Sequence, residues 1–232
     1  MPRRWLESWV RLQAAIWLPV LVLAALRPGQ LPSEARWAIA GGMAASYGVL
    51  VVRMKAGRTV ADLVTLARAV AILAVVAVAA VPATWPAFFV AVAAVAADLV
   101  DGAVARRWGG GPFGAELDME TDQFTVFGLA VLVVAGGGGV HALVLPAMKY
   151  AFVLAAWWLA IPASDPKPVA GDNRRGRIVC ASVVVALLAA LCPECPAAMG
   201  NLAVAVAVGL LAWSFAGDAR WLWRHRRAQG PA

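Results

Sequence analysis

Apolar runs long enough to cross a bilayer, which takes about 20 residues each, recur from one end of this chain to the other with short polar connectors between them. An ordinary soluble domain carries roughly 25% charged residues; this chain carries 14%, against 62% hydrophobic. It has too little polar surface to face water. The spacing predicts an all-α polytopic membrane protein with about eight transmembrane helices, over 12–27, 37–53, 61–82, 86–106, 116–135, 139–160, 177–192 and 197–219. Breakers fall between them at Arg27-Pro28-Gly29, Pro82 and Pro86, Gly136 to Gly139, Pro162 through Pro168, and Pro193.

Lysine and arginine, which accumulate in cytoplasmic loops, give an independent test of the count. With the N-terminus inside, the inner segments hold sixteen of the twenty: Arg3, Arg4 and Arg11; Arg53, Lys55 and Arg58; Arg106 and Arg107; Lys167, Arg174, Arg175 and Arg177; Arg220, Arg224, Arg226 and Arg227. Both termini are therefore expected in the cytoplasm, in a bacterial inner membrane. The net charge of +7 is accounted for by this topology and by anionic lipid headgroups, and no soluble basic domain exists to bind nucleic acid. The WLWRHRR tail reads as a basic interfacial anchor. The first 27 residues resemble a signal peptide in their basic start and short apolar core, but the absence of a small-x-small site before Pro28 favours a retained helix.

Against this oily background, residues 98–122 gather six of the thirteen acidic residues. On a helix at about 100° per residue, Asp98 and Asp101 share one face with Gly102 and Ala105, which leave room for something to lie against it. Beyond a loop containing Gly109 to Gly111 and Pro112, the next helix opens with Gly114 and carries Asp118 and Asp122 four apart on one face. Four aspartates can converge between these two helices. Carboxylates facing one another at the membrane edge need a counter-charge. Hard oxygen donors without nearby His or Cys point to Mg2+, Mn2+ or Ca2+ rather than zinc.

The pattern D-x-x-D-G-x-x-A-R, seven residues, G-x-x-x-D-x-x-x-D resembles the signature of the CDP-alcohol phosphotransferases, membrane enzymes of phospholipid synthesis, at every fixed position. The segment Asp62 to Arg68 is similar to the family's N-x-x-T-x-x-R, with Thr65 and Arg68 in place and Asp62 where Asn is usual. The resemblance implies a six-helix core over 58–220, preceded by an addition of two helices in 1–57 and followed by a basic tail in 221–232. It implies a two-metal site for Mg2+ or Mn2+ on Asp98, Asp101, Asp118 and Asp122, with Asp122 as general base. Thr65, Gly102, Ala105, Arg106 and Gly114 fall at nucleotide-binding positions. The expected partners are a CDP-linked lipid donor, an alcohol acceptor, membrane lipids and a second copy of the chain. The expected reaction moves a phosphatidyl group from CDP-diacylglycerol to the alcohol and releases CMP.

Arg174, Arg175 and Arg177 enter a helix on the same side as the aspartates, so they serve either as topology anchors or as a phosphate site for an acceptor such as glycerol 3-phosphate. Arg68, and Lys149 in mid-span, face either an acceptor phosphate or a structural ion pair. Glu116 and Glu120 fall off the motif positions. Cys192 and Cys195 are structural or incidental, Cys180 is expected in the core, His141 and His225 at the interface, and Gly136 to Gly139 in a tight turn. Two other functions compete: a cation transporter, which would place its acids nearer the bilayer middle, and a catalytically silent lipid-binding protein.

Overall fold

The computed structural model describes residues 2–26, 32–54, 59–78, 84–108, 114–159 and 173–226, with the side chains of 2–4, 54, 78, 98–106, 108, 114–116, 173–174 and 221–226 outside the description. Within these residues every regular element is a helix: α1 (Pro2–Leu26), α2 (Ser33–Met54), α3 (Val60–Val78), α4 (Trp85–Trp108), α5 (Gly114–Ala135), α6 (Val144–Trp158) after a 3-10 turn over Val140–Leu143, α7 (Asn173–Leu191) and α8 (Ala197–Arg226). All eight expected helices are present. Five of them contain spans long and apolar enough to cross a membrane, in α1, α2, α3, the turn with α6, and α8. The other three carry the acids of the 98–122 window or the α7 arginines, which interrupt their apolar runs.

Helix ends shift outward where polar residues continue a helix instead of ending it. α1 begins ten residues before the expected Leu12, with Pro2 in its opening turn, where proline costs no hydrogen bond. Its polar turn is laced by Glu7 and Arg11 at 3.7 Å, a pair four residues apart. α8 continues to Arg226, so the first residues of the expected tail are helical; no glycine or proline intervenes before Gly230.

α5 is the axis of the bundle. From Phe124 to Val134 nearly every residue is buried, as expected of a helix apolar on all sides, and α5 packs against α2, α3, α6 and α7. Gly128 permits the closest of these approaches: a Cβ there would lie 2.5 Å from Ile72 Cγ2 and 3.2 Å from Val76 Cγ2, both on α3. α3 in turn packs against α4 as well as α5. α1 lies along α6, and Trp9, Ala14, Trp17 and Leu21 from α1, with Met43, Tyr47 and Leu50 from α2, join the same core as α3 and α5. Outward-facing Leu23, Leu26, Val52, Val185 and Trp158, each more than half exposed, form an apolar exterior suited to lipid and not to water.

At the far end of α5 the glycine run is the expected turn. Gly137 adopts φ 85°, the left-handed conformation that glycine enters without penalty. Gly138 N–H donates to Val133 O at 2.8 Å and Gly137 N–H to Val134 O at 3.1 Å, the paired bonds that satisfy a helix C-terminus. Asn201 of α8 locks this turn: its Oδ1 accepts from Gly139 N–H at 2.8 Å, and its carbonyl meets His141 Nε2 at 3.0 Å. His141 thus serves as a tie between elements.

Candidate functional site

α3 begins with reciprocal caps. Asp62 N–H donates to Thr59 Oγ1 at 3.1 Å, and Thr59 N–H donates to Asp62 Oδ2 at 3.3 Å, satisfying two N-terminal donors at once. A carboxylate does this at least as well as an amide, which gives Asp62 a helix-starting role. Asp62, Thr65 and Arg68 are all buried, at 5%, 5% and 2% exposure, and follow one another at three-residue spacing along one side of α3. The Thr65 hydroxyl donates to Ala61 O at 3.1 Å.

The Arg68 guanidinium is the centre of the site. Its Nη2 donates to Asp118 Oδ1 at 3.0 Å and to Asp122 Oδ1 at 2.9 Å. The arginine side chain is 1% exposed, whereas Asp118 and Asp122 remain 43% and 55% exposed. Arg68 and Asp122 each lie eight residues from the start of their helices (68 − 60 and 122 − 114), or about 12 Å along the axis. They meet at a common level of the bundle.

The sequence placed the acid pocket between two helices and left Arg68 to a phosphate or an ion pair. The structure makes Arg68 the ion-pair partner of both α5 aspartates and brings in α3, which packs against both acid-bearing helices. The side chains of Asp98, Asp101, Gly102, Ala105, Arg106 and Gly114 lie outside the described residues; their backbones belong to α4 and to the start of α5. Among the described residues no three His, Cys, Asp or Glu side chains gather closely enough to hold a metal.

Glu120, off the motif positions, is paired on the other side of α5. It is 2% exposed and accepts from Lys149 Nζ of α6 at 3.2 Å. Being about 160–200° around the helix from Asp118 and Asp122, it faces a different neighbour. A mid-span lysine facing the interior was the available signal, since such a cation requires a carboxylate. Lys149 therefore takes the ion-pair alternative. Removing one partner of a buried pair strands the other, at a cost of about 3–5 kcal/mol. We expect Lys149→Met and Glu120→Gln each to lower the thermal midpoint in detergent, and the Lys149→Met/Glu120→Leu double variant to recover most of the loss. A double variant less stable than either single would contradict the pairing.

Of the arginines at the start of α7, Arg175 is held by α8. Its Nη2 donates to Asp218 Oδ1 at 2.9 Å, and its guanidinium lies 5.5 Å from the centre of the Trp213 ring. Gly217 makes the space: a Cβ there would fall 2.7 Å from Arg175 Nη1. Arg177 is exposed, and the Arg174 side chain lies outside the described residues. Cys180 is exposed and not in the core as its sequence setting suggests, while Cys192 and Cys195 are unbridged.

Comparison with models of known families matches residues 58–215 to CDP-alcohol phosphatidyltransferase. No curated protein and no solved structure matches the chain.

Proposed function

We propose that this chain, which belongs to the CDP-alcohol phosphatidyltransferase family, moves a phosphatidyl group from CDP-diacylglycerol to an alcohol and releases CMP. The carrying observation is the convergence of Asp118 and Asp122 on buried Arg68 of α3, the helix that also packs against α4. The reading places the reaction at the inner face of a bacterial cell membrane with both termini cytoplasmic, in keeping with the distribution of sixteen of twenty basic residues.

The donor set suits a hard divalent cation: two carboxylates, water-accessible at 43% and 55%. Asp118 and Asp122, with Asp98 and Asp101 of α4, would hold Mg2+ or Mn2+. A cation bound there would draw charge off the phosphoryl oxygens and the CMP leaving group. Arg68 fixes the separation and orientation of the α5 carboxylates. Asp122 accepts the proton of the attacking hydroxyl. The acceptor oxygen bonds to the phosphatidyl phosphorus, the pyrophosphate P–O bond breaks, and CMP leaves. Gly102, Ala105, Arg106, Gly114 and Thr65 are our candidates for the nucleotide side. Glycerol 3-phosphate is the first acceptor to try, because Arg174 and Arg177 enter α7 at the acid-bearing end.

The test is CMP release from CDP-diacylglycerol by the detergent-purified protein across a panel of alcohols, with Mg2+ or Mn2+ supplied. Release should require both the metal and an acceptor and should stop on chelation. Absence of CMP release with every acceptor and every CDP-linked donor overturns the proposal.

A further inference from the structure

The two N-terminal helices lie outside the matched region of 58–215, yet a chain of polar contacts runs from them into the acid-bearing segment of α5. Gln13 of α1 receives two donors on its Oε1: Trp17 Nε1 at 2.8 Å and the Ser46 hydroxyl of α2. Trp17 is held beside α2 by Gly42, where a Cβ would fall 2.9 Å from the indole. It also meets Phe127 of α5 with ring centres 5.2 Å apart. These contacts fix α2 against α1. The residue after Ser46, Tyr47, then reaches α5: its hydroxyl lies 2.6 Å from Thr121 Oγ1, and its ring meets Phe124 edge-on at 5.1 Å.

The direction of that bond follows from counting protons. Thr121 has one hydroxyl hydrogen, and it is directed to Leu117 O at 2.8 Å; Tyr47 is therefore the donor to Thr121 Oγ1. Tyr47 is 5% exposed and Thr121 0%, so neither group can exchange this partner cheaply for water. The Leu117 to Thr121 turn contains Asp118 and immediately precedes Asp122. Through it, a phenol on an added helix sets the rotation of α5 about its own axis. That rotation determines whether both aspartates meet Arg68.

We propose that Tyr47 is a positioning residue for phosphotransfer: its hydrogen bond to Thr121 holds the α5 turn that presents Asp118 and Asp122. This rests on the function proposed above. It gives the N-terminal pair a task in the site without contact to substrate.

The test uses the full-length protein in detergent with Tyr47→Phe, Thr121→Val, Thr121→Ser and the Tyr47→Phe/Thr121→Val double variant. Hydrogen exchange of the peptide over residues 114–127, Mn2+ affinity by paramagnetic resonance with the metal alone, and thermal midpoint are measured together. Tyr47→Phe and Thr121→Val should each speed exchange in this peptide about tenfold, within the range for losing a buried hydrogen bond. Each should weaken Mn2+ binding by a similar factor. The double variant should be no worse than either single, because both remove one interaction, and Thr121→Ser should behave like the parent. Exchange and Mn2+ affinity unchanged in Tyr47→Phe, even with a lowered thermal midpoint, would overturn the proposal. So would an additive double variant. If Tyr47→Phe does not fold, the contrast between Thr121→Val and Thr121→Ser decides. A parent protein that releases no CMP while the variants still alter exchange would sink the enzymatic reading and retain the mechanical coupling.

Discussion

Replacing Asp122 with Asn should lower turnover by at least about 100-fold, the lower end of what a positioned general base contributes, while donor binding stays close to that of the parent. Asn has nearly the shape of Asp and cannot accept the hydroxyl proton. The fold should tolerate it: Asp122 is 55% exposed, and Arg68 keeps Asp118 at 3.0 Å. Exposed charges contribute little to stability, so the thermal midpoint should move only slightly. Single-turnover CMP release, with CDP-diacylglycerol binding measured separately, resolves the two effects. Asp118→Asn makes the contrast, because it removes a proposed ligand while keeping the base: it should raise the metal concentration needed for half-maximal rate with a smaller loss of turnover at saturating metal. Normal turnover in Asp122→Asn would remove Asp122 from the role of base.

Arg68→Leu should both destabilise the bundle and silence the site. The change leaves Asp118 and Asp122, one turn apart, without the guanidinium that both of them touch. Breaking a fully buried ion pair costs about 3–5 kcal/mol; with partners about half exposed, solvent screening reduces the expected cost to about 2 kcal/mol. Arg68→Lys, carrying a shorter reach and a point charge in place of the planar fork, should retain the fold with reduced activity. The pattern of loss identifies what Arg68 does. As a holder of the aspartates, its replacement by Lys changes kcat and metal requirement; as an acceptor-phosphate ligand, it would change the acceptor KM instead. Arg68→Leu with parental stability and metal requirement would refute the positioning role.

The helices were legible because hydropathy and breakers act locally. Their ends were less so: Trp5, Glu7 and Arg11 have the composition of an interfacial segment, and only their placement in α1 makes them helical. The shared face of Asp118 and Asp122 followed from four-residue spacing. Their meeting with Arg68, 50 and 54 residues away, did not, because it depends on how closely α3 approaches α5. Gly128 opposite Ile72 makes that approach possible, and a glycine in an apolar run does not announce its neighbour. The pairing of Glu120 was missed for a different reason. A motif ranks residues by their part in chemistry, whereas a half-buried lysine in mid-span calls for a carboxylate wherever one can be found. The Tyr47 to Thr121 bond was invisible for the same reason as the Arg68 pairs, since no local pattern joins residues 74 apart.

The glycine turn at the far end of α5 has a mechanical consequence for the acids. Gly137, Gly138 and Gly139 tie that end to the α5 backbone and to Asn201, whereas the opposite end carries exposed carboxylates. Were α5 to pivot about that turn as a fulcrum, Asp118, 17 residues (135 − 118) from the helix end, would swing on an arm of about 25 Å. A tilt of roughly 2–3° about that fulcrum carries the carboxylate about 1 Å, a displacement of the size that can cost about 100-fold in rate. In the proposed reaction, the packing of α2, α3, α6 and α7 that denies α5 this tilt counts as much as any group that touches the substrate.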